Sequence, residues 1–300
     1  MKVLSFGSLN IDNTYTVPHF VSRGETLSSL DMKVFTGGKG LNQSVALARA
    51  GASVYHAGAI GNDGLFLLDE LKASGVNTDH VLVRDDIKTG HAIIQNNVDG
   101  DNCILLFGGA NQSITREQAD VVISQFAAGD YLVLQNEINE LSYIMERADK
   151  QGMIIVLNPS PMNEKILSLP LDLVDIFMVN EVEGGQILGK ELSDDFSGAD
   201  MAKALLARFP EARIVLTMGS RGSMYIDKEI CVSQNIYKVK AVDTTAAGDT
   251  FTGYFIAGLI EGLPMKETMD RASRASAITV TRKGAAPSIP TKDEVEAREF

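Results

Sequence analysis

Three observations predict an α/β fold in which a mostly parallel sheet lies between layers of helices and carries a small β-sheet lid. Short apolar runs rich in β-branched residues recur along the 300-residue chain, as in strands that are buried on both faces. Between residues 131 and 219 these runs alternate with helical patterns, which predicts right-handed βαβ units. Two other segments, about 13–36 and 89–107, alternate apolar and polar residues and predict antiparallel additions.

The elements follow one another without an internal repeat or an obvious linker, so we predict a single domain that spans residues 1–300. The predicted strands are 2–7, 53–61, 131–135, 153–158, 176–180, 213–219 and 223–227. The predicted helices are 42–50, 65–73, 116–126, 141–150, 199–209, 250–261 and 266–281.

The two alternating segments either form a lid or extend the edges of the main sheet. Segment 13–36 contains several turn signals, and segment 89–107 holds two short strands around an Asp-Gly turn at 99–100. We favour the lid.

Composition excludes several classes of protein. A net charge of −12 and a pI of about 4.8 argue against a nucleic-acid partner, which would require a basic patch. A polyphosphate ligand would need a local cation or a metal ion to offset repulsion. No apolar run approaches the roughly 18 residues of a membrane span, and the N-terminus does not have the pattern of a signal peptide. Cys103 and Cys231 lack a CxxC spacing and predict free thiols, so we expect a cytoplasmic protein.

The stretch AVDTTAAGDTF, residues 241–251, carries two aspartates around small residues just before a helical pattern. Ala246, Ala247 and Gly248 would leave backbone N–H groups uncovered at the positive end of the helix, where an anion can bind. Asp249 is either the N-cap of this helix or a general base beside the anion. A cap does not require Ala-Ala-Gly before it, so we favour a base that accepts the proton of a hydroxyl during phosphoryl transfer.

The segment FTGGKGLNQSVALARAG, residues 35–51, is not a Walker A motif, because Lys33 stands where the first glycine belongs. Its glycines, including Gly38, would let the backbone approach a ligand closely. Lys39 and the two-ended amide of Asn42 would then bind a polyol. The alternative is a tight turn followed by a helix start.

The segment SLNIDNT, residues 8–14, follows the first strand and offers a second set of polar groups. Asn10 and Asp12 point to the same side of an extended chain. An amide and a carboxylate placed in this way can bind vicinal hydroxyl groups. The alternative is an ordinary turn, which would have the same sequence pattern.

Two later segments suggest phosphate or metal binding. In VNEVEGGQIL, residues 179–188, Asn180 and Glu183 are three apart and suit a water-rich Mg²⁺, or else a helix start that favours acids. The sequence GSRG at 219–222 lies between two strands and is either a plain hairpin or a turn for nucleotide phosphates, with Arg221 as the cation. Together, the five segments describe a phosphotransferase that acts on a hydroxyl group.

Long segments of the chain resemble one known family. TGGKGLNQSVALARAG resembles the first signature of the ribokinase-like (PfkB-type) carbohydrate kinases, and DTTAAGDTFTGYF resembles the second. NEVE is similar to the family's N-x-x-E motif, VTRKGAAPSIP is similar to its C-terminal segment, and the likeness runs from Val3 to about Pro290. The resemblance implies a three-layer α/β/α sandwich with a β lid, often dimeric through the lids. It also implies ATP-dependent phosphorylation of the primary hydroxyl of a pentose, D-ribose being the expected sugar.

The resemblance implies roles for individual residues. Asp249 would be the catalytic base, with the N–H groups of Ala246, Ala247 and Gly248 as the anion hole. The residues implied to hold the sugar are Asn10, Asp12, Gly38, Lys39, Asn42 and Glu137. Those implied to lie along ATP are Asn180, Thr217, Gly219, Ser220, Arg221, Gly222 and Gly248. Glu183 would lie near Mg²⁺. A K⁺ ion beside the anion hole would take oxygens from Asp243, Thr245, Thr279, Arg282, Gly284 and Ser288.

Some alternatives stay open at this point. Leu41 stands where the resemblance leads us to expect alanine, which suggests a reshaped sugar pocket. The chain could be a kinase of another sugar or of a nucleoside, for which Tyr15, Phe20 and Ile93 are candidates to contact the base. It could also be a sugar-binding protein without catalysis. A dinucleotide oxidoreductase is disfavoured because no GxGxxG follows the first strand.

Overall fold

The computed structural model of the chain describes residues 1–99, 101–190 and 197–300. The strands are β1 (Val3–Phe6), β2 (Asn10–Val17), β3 (Asp31–Gly37), β4 (Val54–Gly61), β5 (Asn77–Arg84), β6 (Gly90–Asn97), β7 (Asn102–Phe107), β8 (Tyr131–Gln135), β9 (Ile154–Asn158), β10 (Ile176–Asn180), β11 (Arg213–Thr217), β12 (Ser223–Ile226) and β13 (Cys231–Gln234). The α-helices are α1 (Lys39–Arg49), α2 (Leu65–Ala73), α3 (Arg116–Ile123), α4 (Leu141–Gln151), α5 (Glu181–Ile187), α6 (Gly198–Arg208), α7 (Ala247–Glu261), α8 (Met265–Thr279) and α9 (Lys292–Ala297).

The main sheet has nine strands in the order β13-β12-β11-β10-β9-β8-β1-β4-β5. Neighbouring strands from β11 to β5 are parallel, and only β12 and β13 add an antiparallel edge. The chain moves outward from β1 in one direction to β4 and later in the other direction to β8. This reversal creates a crevice at the carboxyl ends of β1 and β8, the position where open α/β sheets bind ligands.

Helices cover both faces of the main sheet, which confirms the predicted three-layer α/β fold. Alternate residues of one strand enter different cores: Leu4 and Phe6 of β1 pack in one cluster, and Val3 packs in the other. The first cluster includes residues of α3, α4 and α6, and the second includes residues of α1, α2, α7 and α8. Because each face of the sheet meets helices, the strands are apolar on both sides.

The alternating segments form a separate four-stranded sheet in the order β3-β2-β6-β7, so the lid prediction is confirmed and the edge-strand alternative is wrong. β2 pairs antiparallel with β3, and β6 pairs antiparallel with β7. The central pair of the lid, β2 and β6, is parallel, which the sequence did not predict. The predicted Asp-Gly turn includes Gly100, which lies outside the described residues.

Among the strands and α-helices of the described chain, the sequence missed β5, β13 and α9, and it offered α5 only as an alternative helix start. β5 and β13 are edge strands that contain several polar residues and no fully buried residue, so they lack the apolar signal of a buried strand. α5 and α9 are short helices, and each begins with a capping box in place of a long apolar stripe.

Leu41 lies in the core and not at a pocket surface. Its side chain is fully buried in the cluster that also contains Val45 and Phe251. Its N–H donates to the carbonyl of Ser8, which fixes the start of α1 beside the end of β1. The larger side chain therefore fills core space beneath the turn.

The sequence also made predictions about the two cysteines and about membrane spans. Cys103 in β7 and Cys231 in β13 are free and exposed. In the part of the chain that the structure describes, no helix is long and apolar enough to cross a membrane.

Candidate active site

The crevice at the carboxyl end of β1 is closed by the start of α1, and glycines make this close approach possible. Gly38 is the N-cap residue of α1 and has φ 94°, a conformation that favours glycine. A Cβ on Gly40 would lie 2.4 Å from the backbone nitrogen of Ser8. The GGKG pattern is therefore required for the chain to pass directly over the end of β1, which brings Lys39 and Asn42 into the crevice.

The second wall of the crevice is the start of α7. Ala246 is its N-cap residue, with φ 60° in the left-handed region, which is unusual for a residue other than glycine. Asp249 lies in the first turn of the helix, so the N-cap alternative for this residue is wrong. Non-glycine residues in the left-handed region carry a free-energy cost and cluster at functional sites.

The N–H groups at the start of α7 face open space. Ala247 donates a long bond of 3.3 Å to the carbonyl of Thr244. The N–H groups of Gly248 and Asp249 have no hydrogen-bond partner within residues 1–99, 101–190 and 197–300. A Cβ on Gly248 would meet no atom within 4 Å. These free donors, together with the helix dipole, form a site for an anion.

Asp249 is buried, with 7% of its surface exposed, and its carboxylate receives one amide on each oxygen. Asn42 Nδ2 donates to Oδ2 at 3.1 Å, and Gln43 Nε2 donates to Oδ1 at 2.9 Å. Both donors come from α1. The two helices approach closely because a Cβ on Gly253 of α7 would lie only 2.4 Å from the Cβ of Ala46.

Asn10 and Asp12 lie on the lid strand β2, just after its connection to β1. The Oδ1 atom of Asn10 accepts a bond of 2.7 Å from Asn111, whose own amide also pairs with both backbone groups of Leu9. The carboxylate of Asp12 packs over Gly37, where a Cβ would lie 2.1 Å from Oδ2. These two predicted sugar ligands are thus fixed on the lid, across the crevice from the helices.

Glu137 links the two strands that flank the crevice. It follows β8, and its Oε2 atom accepts bonds from the N–H of Lys39 at 2.9 Å and from the hydroxyl of Ser8. The carboxylate therefore holds the GGKG turn against the end of β1. Its second oxygen remains available for a ligand.

Lys39 is the cation around which the buried acids gather. Burial acts to lower the pKa of Lys39, but attraction from Asp249, Glu137 and Glu183 outweighs it and raises the pKa above its ordinary value. Burial raises the pKa of both Glu137 and Glu183. Burial, with repulsion from Glu137, raises the pKa of Asp12 to about 7.

Two cavities meet at the start of α7. The smaller cavity, of about 210 Å³, is lined by acidic residues and one lysine. The larger cavity, of about 510 Å³, has a mainly apolar wall. The smaller is lined by Lys39, Asn158, Ser160, Asn180, Glu183, Ala246 and Asp249, among others. The larger is lined by Gly219, Ser220, Gly222, Ile236, Val239, Phe251 and Val280, among others. They share Thr217, Thr244, Ala247 and Gly248. The larger cavity therefore places an apolar wall beside the free N–H groups at the start of α7.

The residues predicted to lie along ATP do not all face the cavities. Thr217, Gly219, Ser220 and Gly222 line the larger cavity, between the antiparallel strands β11 and β12. Arg221 lines neither cavity, and its guanidinium pairs with the carboxylate of Glu181.

Asn180 and Glu183 form a capping box at the start of α5. Each side chain accepts a bond of 2.9 Å from the backbone N–H of the other. The helix-start interpretation is therefore confirmed, although both residues also line the smaller cavity.

The residues predicted to hold K⁺ join two segments beside the start of α7. Asp243 Oδ1 accepts bonds from the N–H and the hydroxyl of Thr245, and Oδ2 accepts a bond of 2.9 Å from the N–H of Gly284. The hydroxyl of Ser288 donates to the carbonyl of Ala285, and the lone pairs of the Ser288 oxygen stay free. The carbonyl of Thr279 accepts a bond from the N–H of Arg282. Among the described residues there is no cluster of three or more His, Cys, Asp or Glu side chains suited to a metal ion.

The candidates to contact a nucleoside base line neither cavity. Tyr15, Phe20 and Ile93 are half-buried, and Tyr15 and Ile93 lie on lid strands.

Sequence reasoning missed several polar residues that contact the site residues, including Gln43, Asn111 and Asn158. Gln43 directly follows Asn42 within the helical pattern, so its position in the first signature was the available signal. Asn158 lies in LNPSP, residues 157–161, another segment that resembles the family. Asn111 had no comparable signal, because its partner Asn10 lies far away in the sequence.

Comparisons with known proteins identify the family of the chain. The family described as pfkB family carbohydrate kinase matches residues 1–292. A curated ribokinase of Staphylococcus aureus (strain COL) is 35% identical over 300 residues, which cover 98% of each chain. The crystal structure of a ribokinase from Cryptococcus neoformans in complex with ADP has a TM-score of 0.87 and 32% identity, and covers 98% of each chain. The structure of Arabidopsis thaliana ribokinase with ribose and ATP has a TM-score of 0.85 and 28% identity, and covers 98% of this chain and 97% of its own.

The raised pKa of Asp12 predicts a pH-dependent stability. Between the ordinary value of 3.8 and about 7 the folded state binds the proton of Asp12 more tightly than the unfolded state does, so rising pH lowers the free energy of unfolding. We expect Asp12→Asn to gain stability relative to the wild type across this window, with a constant difference above it. Urea unfolding at several pH values measures the effect. Asp31→Asn, at an exposed position on the same lid, is the control, and parallel curves for wild type and Asp12→Asn would contradict the assignment.

Proposed function

The chain belongs to the pfkB family of carbohydrate kinases, and we propose that it transfers the terminal phosphoryl group of ATP to the primary hydroxyl of D-ribose. As a member of this family it is an ATP-dependent sugar kinase. The observation that carries the proposal is the buried carboxylate of Asp249 beside two free N–H groups, at the point where the two cavities meet.

Ribose is supported by both the relatives and the chemistry of the crevice. The curated relative is a ribokinase over its full length, and one similar structure holds ribose and ATP. Asn10, Asp12, Asn42 and Glu137 offer amides and carboxylates that suit the several hydroxyl groups of a sugar. Gly38 supplies the turn that sets Lys39 beside them. The product would be D-ribose 5-phosphate.

The reaction follows from the arrangement at the start of α7. Asp249 accepts the proton of the primary hydroxyl as its oxygen attacks the terminal phosphorus of ATP. The bond between that phosphorus and the bridging oxygen breaks, and ADP leaves. The N–H groups of Gly248 and Asp249, with weaker help from Ala247, stabilise the charge on the phosphoryl oxygens. Ala246 holds the left-handed turn that keeps these donors open.

The nucleotide is proposed to occupy the larger cavity. Its apolar wall suits a base, and Thr217, Gly219, Ser220 and Gly222 border the path toward α7. Because Arg221 pairs with Glu181, Lys39 is the nearer cation for the transferred group.

The residues present fit the two metal ions implied by the family. Glu183 and Asn180 border the smaller cavity, and a single carboxylate suits a Mg²⁺ that is held mainly by phosphates and water. For K⁺, Asp243 joins the Thr245 segment to the Gly284 segment, and the remaining oxygens would come from Thr279, Arg282 and Ser288. When bound, the ions would offset the negative charge of the phosphates.

A homodimer joined through the lids is proposed from the outer lid surface. Leu105 and Phe107 of β7 are 67% and 51% exposed, and Met32 and Val34 of β3 are also exposed. Apolar area of this kind on a sheet edge favours a second copy of the same surface. We expect the wild type to sediment as a dimer and Leu105→Glu as a monomer. A monomeric wild type would refute the dimer.

Location in the cytoplasm stays a prediction from the two free cysteines.

Substitution of the base tests the mechanism. We expect Asp249→Asn to lower kcat by about 10²–10⁴-fold, because general-base catalysis is worth this much, and to leave ADP binding nearly unchanged. Steady-state kinetics and calorimetric titration with ADP measure the two effects. Asp293→Asn, in the first turn of α9, is a matched control. A variant that keeps more than about a tenth of kcat would contradict the base role.

A phosphoryl-transfer assay tests the substrate. With ATP, we expect D-ribose to be the best acceptor in a panel of pentoses, hexoses, deoxyribose and nucleosides. Removal of Mg²⁺ by a chelator should abolish turnover, and replacement of K⁺ by tetramethylammonium should lower it. Preference for a nucleoside would overturn the ribose proposal, and tight sugar binding without turnover of any acceptor would indicate a binding protein.

A further inference from the structure

Gln43 contacts the carboxylate of Asp249 on the side away from the cavities. It is fully buried near the start of α1 and lines neither cavity. Its Nε2 atom donates to Asp249 Oδ1 at 2.9 Å and to Asn158 Oδ1 at 3.2 Å. No ligand in either cavity would touch it, so any effect on the reaction must pass through its partners, either Asp249 or Asn158, which also lines the smaller cavity.

The direction of the Gln43 amide is fixed by a second buried glutamine. Gln135, the last residue of β8, donates from Nε2 to Gln43 Oε1 at 2.7 Å. A flipped Gln43 amide would set its oxygen against the oxygens of Asp249 and Asn158 and would lose the Gln135 bond. Asn158 is itself oriented, because its Nδ2 atom donates to the carbonyl of Met178 at 2.8 Å. The donor end of Gln43 therefore faces the carboxylate.

The amides of Asn42 and Gln43 each donate to a different oxygen of the Asp249 carboxylate. Gln43 occupies one lone pair of Oδ1 and Asn42 one lone pair of Oδ2, which leaves one on each oxygen for the proton of a substrate hydroxyl. The terminal torsion of an aspartate is broad, so these bonds, and not rotamer preference, determine the plane of the carboxylate. Displacement of a reacting group by about 1 Å can cost about 10²-fold in rate.

We propose that Gln43 and Gln135 are positioning residues that act in series, from the end of strand β8 to the general base. The proposal rests on the proposed function of Asp249. Gln135 orients Gln43, and Gln43 holds the carboxylate of Asp249 in the plane in which it accepts the substrate proton.

Methionine substitutions test the series, because they keep the approximate size of the side chain and remove the amide. We expect Gln43→Met to lower kcat by about 10- to 100-fold and Gln135→Met by about 3- to 10-fold, with KM for ribose and ATP within about threefold of wild type. Because both act through the same bond, the double variant should be no slower than Gln43→Met alone. Two substitutions whose effects multiply would overturn the series.

The Asp249→Asn variant is the background in which the effect of Gln43→Met decides the proposal. In Asp249→Asn, addition of Gln43→Met should change kcat by less than about twofold, because the carboxylate that it positions is gone. A further loss of tenfold or more in that background would show that Gln43 acts elsewhere, and would refute the proposal. If Gln43→Met does not fold, Gln135→Met carries the same test in both backgrounds.

The matched control is Gln118→Met. Gln118 is also buried, and its Nε2 atom donates to the carbonyl of Gly58 at 3.0 Å, but it lines neither cavity. We expect it to lower thermal stability as Gln43→Met does, with kcat unchanged. A wild type that does not phosphorylate ribose would refute the proposed function. An active wild type with a Gln43→Met variant at full kcat would refute only the positioning role.

Discussion

The carboxylate of Asp249 is almost fully buried, and the amides of Asn42 and Gln43 supply the hydrogen bonds that a buried carboxylate requires. This contact joins residues that are more than 200 positions apart. It also fixes the spacing of α1 and α7, because the amides reach the carboxylate only where Gly253 lets the helices approach. The GGKG turn and the start of α7 are therefore brought together by one buried interaction.

The charge balance of the crevice follows from the same arrangement. Asp249, Glu137 and Glu183 surround Lys39, and burial raises the pKa of both glutamates. A protein with a net charge of −12 has little positive potential to attract a nucleotide triphosphate. The N–H groups at the start of α7 help because they bind an anion without adding a side-chain charge. Divalent and monovalent cations would supply the rest of the compensation.

The lid and the main sheet contribute different parts of the site. Asn10 and Asp12 belong to the lid strand β2, whereas Lys39, Asn42 and Asp249 belong to helices packed on the main sheet. The lid connects to β1 through three residues only, Gly7 to Leu9. A sugar between the two parts would contact both, and the lid would exclude the water that could otherwise accept the phosphoryl group.

The sequence by itself determined the layers of the fold and the family to which its two signatures belong. Buried strands are apolar on both faces and helices carry periodic apolar stripes, so local patterns report burial and predicted most elements of the described chain. Glycines at 38 and 40 and the small residues before Asp249 indicated backbone that makes a close approach. In the structure the glycines at 38 and 40 approach the backbone around Ser8, whereas Gly248 faces open space.

Only the tertiary structure decided which polar groups meet. Gln43 and Gln135 are 92 positions apart, and Asn10 and Asn111 are 101 apart, so no local pattern relates them. The parallel pairing of β2 with β6, the pairing of Arg221 with Glu181 and the burial of Leu41 likewise follow from packing. A hydrogen bond between distant residues depends on the distance and direction of two side chains in space, and these are fixed only when the helices and sheets have packed together.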